Sequence, residues 1–323
     1  MLAASLREYL PDSTIVECPL ADGGEGTLDV LVHALNGTCF ETVVSDPLGR
    51  PVKAYYGICG DLAIIEVAQT CGLHLLAPAE RNPLLASSRG VGELLIAAAS
   101  HGCRRMVIGL GGSATCDGGA GMLSVQGLQD RLSGISIDVL CDVDTPFVGP
   151  AGAAQVFGPQ KGASPADVEI LEERMVLTAR RILAQTGIDV SDLPGAGAAG
   201  GLGGALAACC GGKLVRGIDT ILKLIGFDTL SDGADWILTG EGKSDRQTLA
   251  GKAPYGVLQR AGTIPVALLS GRIEHPETLR SAGFSYLDAI TPTDLPDAEA
   301  IHPDIARTYL TLAARRFANT IAT

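Results

Sequence analysis

The spacing of apolar positions divides the chain into short helices and strands that alternate in two styles. Leu6 to Leu10 reads as the end of a helix closed by Pro11-Asp12, and Thr14 to Leu20 as a short strand. A helix is expected over Thr27 to Leu35. From Cys39 to Val67 the pattern becomes β-rich runs broken at Asp46-Pro-Leu-Gly49 and at Gly57 to Asp61, which predicts an antiparallel meander. A helix over Gly90 to Ser100 then leads into the buried-strand run Met106 to Leu110, and Ile135 to Cys141 is a further strand. Near the other end, Trp236 to Thr239 and Ile264 to Leu269 flank a helix around Pro254 to Ala261, the signature of a βαβ unit.

These switches predict an α/β chain in which residues 1–38 and 230–323 form one discontinuous parallel-sheet domain. A second α/β domain, residues 39–229, interrupts it. A chain of 323 residues is long enough for two cores. With 46% hydrophobic and 19% charged residues, and with 42 glycines, it is compact and rich in tight loops. Its 36 acidic and 24 basic side chains give a net charge of −12, which argues against nucleic acid and anionic membranes as general partners. Nine cysteines without a C-x-x-C pair read as reduced thiols and a cytoplasmic setting, and Cys209-Cys210 as part of an apolar helix. No signal peptide or membrane span is expected. Association into oligomers stays open.

Three glycine-rich segments imitate nucleotide loops. Gly240-Glu-Gly-Lys-Ser244 lacks the first glycine of a P-loop, since Ile237 stands there. Gly195-x-Gly197-x-x-Gly200 follows Asp192-Leu-Pro194 rather than a strand, and Gly109-x-Gly111-x-x-Ala114 lacks a strand that ends at Asp130. All three are candidate anion cradles, because glycines let backbone N–H groups turn to a ligand; the same glycines also serve turns and close packing. Carboxylates stand beside them at expected strand ends: Asp22, Asp117, Asp142, and Glu241 with Asp245. Acids so placed suit Mg²⁺ binding and proton abstraction from a hydroxyl, the needs of phosphoryl transfer. Arg89 can grip a carboxylate through paired hydrogen bonds, and Lys161 can offset phosphoryl charge. The five histidines lack metal spacing, and no G-x-S-x-G is present.

Read together, Ala21-Asp-Gly-Gly-Glu-Gly-Thr27, Ser88-Arg-Gly90, Gly111-Gly-Ser-Ala-Thr-Cys-Asp-Gly-Gly-Ala-Gly121, Cys141-Asp-Val-Asp144, Phe157-Gly-Pro-Gln-Lys-Gly162, Pro194-Gly-Ala-Gly-Ala-Ala-Gly-Gly201 and Thr239-Gly-Glu-Gly242 resemble, in order, the bacterial type 1 glycerate kinases. The resemblance spans almost the whole chain. It implies a flavodoxin-like domain interrupted by a swivelling β/β/α-type domain. It also implies ATP, Mg²⁺ and D-glycerate, with phosphoglycerate and ADP as products and the 2-phosphate favoured.

On that reading Asp142 or Asp22 deprotonates the hydroxyl, and Lys161 assists catalysis. Arg89, Ser88 and Glu25 bind substrate. Gly111, Gly112, Ser113, Asp117, Gly197, Gly200, Gly240 and Gly242 hold the nucleotide, with Glu241 and Asp245 on the metal. Two departures stand out. The family opens with a strand and an Asp-Ser-x-Lys segment, whereas this chain opens at Met1-Leu-Ala-Ala-Ser5, inside the helix that follows; no residue here takes the role of that Asp or Lys. A parallel sheet without that strand is expected to fold poorly unless another segment fills the gap. The stretch from Leu123 to Ser133 is also shorter than in the family. Two other readings are a non-catalytic binder of small carboxylates and a nicotinamide-dependent oxidoreductase.

Overall fold

The computed structural model describes residues 1–321. The chain divides into two compact units, Leu20–Ile225 and the pair of ends Met1–Pro19 with Gly226–Thr323.

The larger unit is built on a six-stranded sheet in the order β1 (Thr38–Ser45), β2 (Pro51–Cys59), β3 (Leu62–Glu66), β4 (Arg105–Gly109), β5 (Ser136–Leu140) and β6 (Lys213–Val215). The meander β1–β2–β3 is antiparallel, and β3 to β6 run parallel. Side chains on a strand alternate between its two faces. Ala63, Ile65, Met106, Ile108, Ile137 and Val139 accordingly enter the main core, while Leu62, Ile64 and Val107 enter a second core on the other face. Burial on both faces explains why β3 and β4 read as continuous apolar runs.

The helix Thr27–Ala34 places Leu28 and Leu31 in that second core. It therefore belongs to the larger unit, and the division falls at Leu20 and Gly226 rather than at residues 39 and 230. The longest helix of this unit, Pro165–Thr186, begins with a capping box between Ser164 and Asp167 and ends at the left-handed Gly187.

The smaller unit contains three parallel strands in the order β11 (Tyr286–Ala289), β9 (Val266–Ser270), β7 (Ile237–Thr239), and a parallel pair of β8 (Lys243–Ser244) with β10 (Arg272–Ile273). The helix Ala253–Arg260 joins β7 to β9 along the chain, as the βαβ pattern predicts. Leu6, Ala267, Ala314 and Phe317 form the core, with Trp236 and Tyr286 edge-on to the Phe317 ring.

One expected strand is absent. Thr14 to Leu20 forms no ladder, and Val16 is exposed. This stretch crosses from one unit to the other with no neighbouring strand to take its backbone groups, so its alternation of apolar residues yields extended chain only. The nine cysteines are free thiols, and burial helped by Cys209 pushes Cys210 up to about 12. No described helix is long and apolar enough to cross a membrane.

Candidate active site

Strands β3, β4 and β5 are parallel, so their carboxyl ends share one edge of the sheet, where ligands of open α/β folds gather. Across that edge lies the Asp22 to Gly26 segment. Gly111 N–H donates to the Gly23 carbonyl at 3.2 Å. A Cβ at Gly109 would stand 2.5 Å from that same carbonyl oxygen, and one at Gly111 would stand 2.5 Å from Gly24 Cα. Real Cβ atoms do not approach so closely, so the two loops can cross only because both are glycine-rich.

The crossing brings Asp22 beside Asp142, the second residue beyond β5. Gly217 N–H, at the start of the helix Gly217–Leu224, donates to Asp142 Oδ1 at 2.8 Å. A Cβ at Gly217 would overlap the Asp22 carbonyl oxygen and lie 2.8 Å from Asp142 Oδ2. The Asp142 carboxyl has a pKa raised to about 6. Although the residue as a whole is exposed, partial loss of water around the carboxyl is the main cause. The charges of Asp22 and Asp219 push further upward, against the Gly217 hydrogen bond and Arg216. A carboxylate that titrates near neutrality and has an exposed face is suited to take a proton from a hydroxyl.

Glu25 is exposed, with His74 Nδ1 at 3.5 Å from its Oε1. Beside it a cavity of about 190 Å³ is lined by Glu25, Leu28, Asp29, Glu66, Gln69 and His74, among others. Glu66 escaped the sequence reading. It ends β3, is only 4% exposed, and accepts Leu28 N–H at 2.7 Å at the start of a helix. The rule that singled out Asp142, an acid at a strand's carboxyl end, applies equally to Glu66.

Several expected ligand residues make contacts within the protein. Ser88 is fully buried and donates to Asp117 Oδ2 at 2.8 Å. Asp117 also accepts the N–H groups of Ser88, Gly119 and Gly121, so the pair fastens the loop after β4 to the start of the helix Arg89–Ala99. Lys161, 2% exposed, lies beneath the Gly111 to Thr115 loop, donating to Ser113 Oγ at 3.0 Å and the Thr115 carbonyl at 2.7 Å. Burial holds its pKa below the ordinary lysine value. Gly197 and Gly200 close on the carbonyls of Pro146 and Thr115, so they pack backbone against backbone and form no open cradle. Arg89 pairs through Nε with Glu93 at 2.9 Å, which leaves its two Nη groups without a protein partner among the described residues.

In the smaller unit, Gly240 closes on the Leu269 carbonyl, whereas Gly242 faces open space. Glu241 Oε1 accepts from Ser244 Oγ at 2.8 Å and Thr248 Oγ1 at 2.6 Å, and its Oε2 lies 3.5 Å from Lys252. Asp245 Oδ1 accepts Gln247 N–H at 2.7 Å, and its other oxygen has no protein donor among the described residues. No group of three or more potential metal-binding side chains occurs among the described residues.

Parallel strands whose carboxyl ends carry crossed glycine loops and a near-neutral carboxylate define this chain as an α/β protein with the layout of an enzyme. A model of the Glycerate kinase family matches residues 1–129 and 123–322. The glycerate kinase of Bacillus subtilis (strain 168) is 39% identical, over 98% of this chain and 91% of its own length. The glycerate 2-kinase of Escherichia coli (strain K12) is 40% identical, over 78% and 74%. The crystal structure of a putative glycerate kinase 2 from Salmonella typhimurium LT2 superposes with a TM-score of 0.86 at 36% identity, covering 99% of this chain and 92% of that one. The chain belongs to the glycerate kinase family.

Proposed function

We propose that this chain is an ATP-dependent glycerate kinase that transfers the γ-phosphate of ATP to a hydroxyl of D-glycerate, with the 2-phosphate as product. The observation that carries the reading is Asp142, a carboxylate raised to about 6 at the carboxyl end of β5, beside Asp22 and held by Gly217 N–H. Asp142 orients the acceptor hydroxyl and takes its proton as the bond to phosphorus forms. Asp22 keeps that carboxylate basic through its charge. In-line transfer otherwise depends on positioning and on offsetting charge.

The two free Nη groups of Arg89 suit the two oxygens of the glycerate carboxylate. Glu25, exposed beside the Gly111 to Ser113 loop, suits a substrate hydroxyl. A Mg²⁺ ion that accompanies ATP would need only one or two protein carboxylates. The unengaged oxygen of Asp245 fits that need, whereas Glu241 is occupied by two hydroxyls and Lys252. When bound, Mg²⁺ would supply positive charge against the phosphate oxygens. Gly242, open on its Cβ side, suits close approach of a phosphate.

The test is an assay that couples ADP release to a spectroscopic signal, with D-glycerate, ATP and Mg²⁺. ADP formation that depends on glycerate and stops in Asp142→Asn is the expected result. No release above the rate without glycerate would overturn the reading.

A further inference from the structure

The Lys161 ammonium is enclosed by three neutral groups: the Thr115 carbonyl at 2.7 Å, Ser113 Oγ at 3.0 Å, and the Phe157 ring with its centroid at 5.7 Å. No carboxylate is directly paired with it among the described residues, although the charge of Asp117 acts on it without a direct contact. A charge buried without a directly paired counter-charge is costly, and its field acts strongly on the groups that enclose it.

The hydrogen-bond directions show where that field is felt. Lys161 donates to Ser113 Oγ, so the serine hydroxyl hydrogen must point away from the ammonium. Ser113 is 6% exposed, and no protein acceptor among the described residues takes that hydrogen. Ser113 directly follows Gly112, which is exposed at φ +73°, on the loop beyond the carboxyl end of β4. The carboxylate beside that loop, Glu25, has His74 as its partner.

We propose that Ser113 Oγ–H is a hydrogen-bond donor to an anionic oxygen of a bound substrate, and that Lys161 is a positioning residue acting through it by orienting and polarising the hydroxyl. This rests on the reading of the chain as an ATP-dependent glycerate kinase, which offers two such oxygens, phosphate and carboxylate. The polarised donor explains how a lysine too deeply buried to touch ligand still contributes positive potential to the site.

The test uses the full chain with Ser113→Ala, Ser113→Thr, Lys161→Met and the double variant Ser113→Ala with Lys161→Met. Calorimetric titrations with ATP and with D-glycerate measure affinity independently of turnover. Each single removal is expected to weaken one ligand roughly tenfold and leave the other unchanged. The ATP arm identifies the phosphate as acceptor, the glycerate arm the carboxylate. The double variant should lose no more than the worse single variant, and Ser113→Thr should retain affinity. Affinities for both ligands within twofold of the unmodified chain, losses that multiply in the double variant, or no binding of either ligand would each overturn the proposal. If Lys161→Met does not fold, the Ser113 variants decide alone, because they leave the lysine's other contacts in place. A chain that binds with these losses yet releases no ADP would sink the kinase reading and leave the serine donor standing.

Discussion

Asp22 and Asp142 crowd the same glycine: the Asp22 carbonyl and the Asp142 carboxylate both close on the Cα of Gly217, and only a residue without a side chain fits between them. The contact joins three chain segments far apart in sequence, and the charge of Asp22 adds to the burial that raises the pKa of the proposed base.

Removing that base should separate chemistry from binding. Asp142→Asn is expected to lower kcat by about 10²–10⁴-fold with smaller changes in KM. In the unmodified enzyme kcat/KM should fall as pH drops through about 6, where Asp142 becomes protonated. Folded Asp142 holds its proton more tightly than the ordinary value of 3.8, so the folded state binds more protons between 3.8 and about 6. Stability contributed by the protonated carboxyl is therefore lost as pH rises through that window. Urea melts across the window should show this decline in the unmodified chain and not in Asp142→Asn.

Arg89→Ala should raise KM for glycerate roughly ten- to a hundredfold and leave KM for ATP nearly unchanged, because a bidentate charged contact is removed. The exposed ion pair with Glu93 contributes at most about 1 kcal/mol, so the melting temperature should barely move. An unchanged glycerate KM would leave Arg89 with Glu93 as its one function.

Asp117→Ala should be a folding mutation. It strips the acceptor from Ser88 N–H, Ser88 Oγ–H, Gly119 N–H and Gly121 N–H at once. Buried donors left unsatisfied cost about 1–3 kcal/mol each, so equilibrium unfolding should report a loss of about 3 kcal/mol or more. A stability within ~0.5 kcal/mol of the unmodified chain would contradict the fastening role.

Lys161 gives a pH dependence of opposite sign. Burial lowers its folded pKa beneath 10.5, so the unfolded chain binds more protons in the interval between the two values. The cost of burying the ammonium is complete below the folded pKa and fades as pH rises towards 10.5. The stability of the unmodified chain relative to Lys161→Met should therefore increase with pH in the alkaline range, as read by chemical denaturation.

The pattern of apolar positions is enough to predict β1 to β5, because each strand buries at least one face at period two. It fails at Thr14 to Leu20, where the same alternation meets no partner strand. Glycine-rich loops are ambiguous for a related reason. Gly111 and Gly197 look alike in sequence, yet one lies against Gly24 and the other against Pro146, both distant along the chain. Lys161 sits in a stretch that reads as surface loop, and Ser113 and Thr115, more than forty positions earlier, enclose it. Asp142 stands out in the sequence because it follows a buried strand, and in the fold it also holds Gly217 N–H. Glu66 obeys the same logic but lacks flanking glycines, so its sequence surroundings do not mark it.

The forbidden Cβ positions at Gly109, Gly111 and Gly217 separate two kinds of information in this chain. Those glycines are required by loops that cross at closest approach, whether or not anything binds there. A descendant that abandoned phosphoryl transfer would still keep them in order to fold. Inheritance of the glycine pattern therefore certifies shape and says nothing by itself about catalysis.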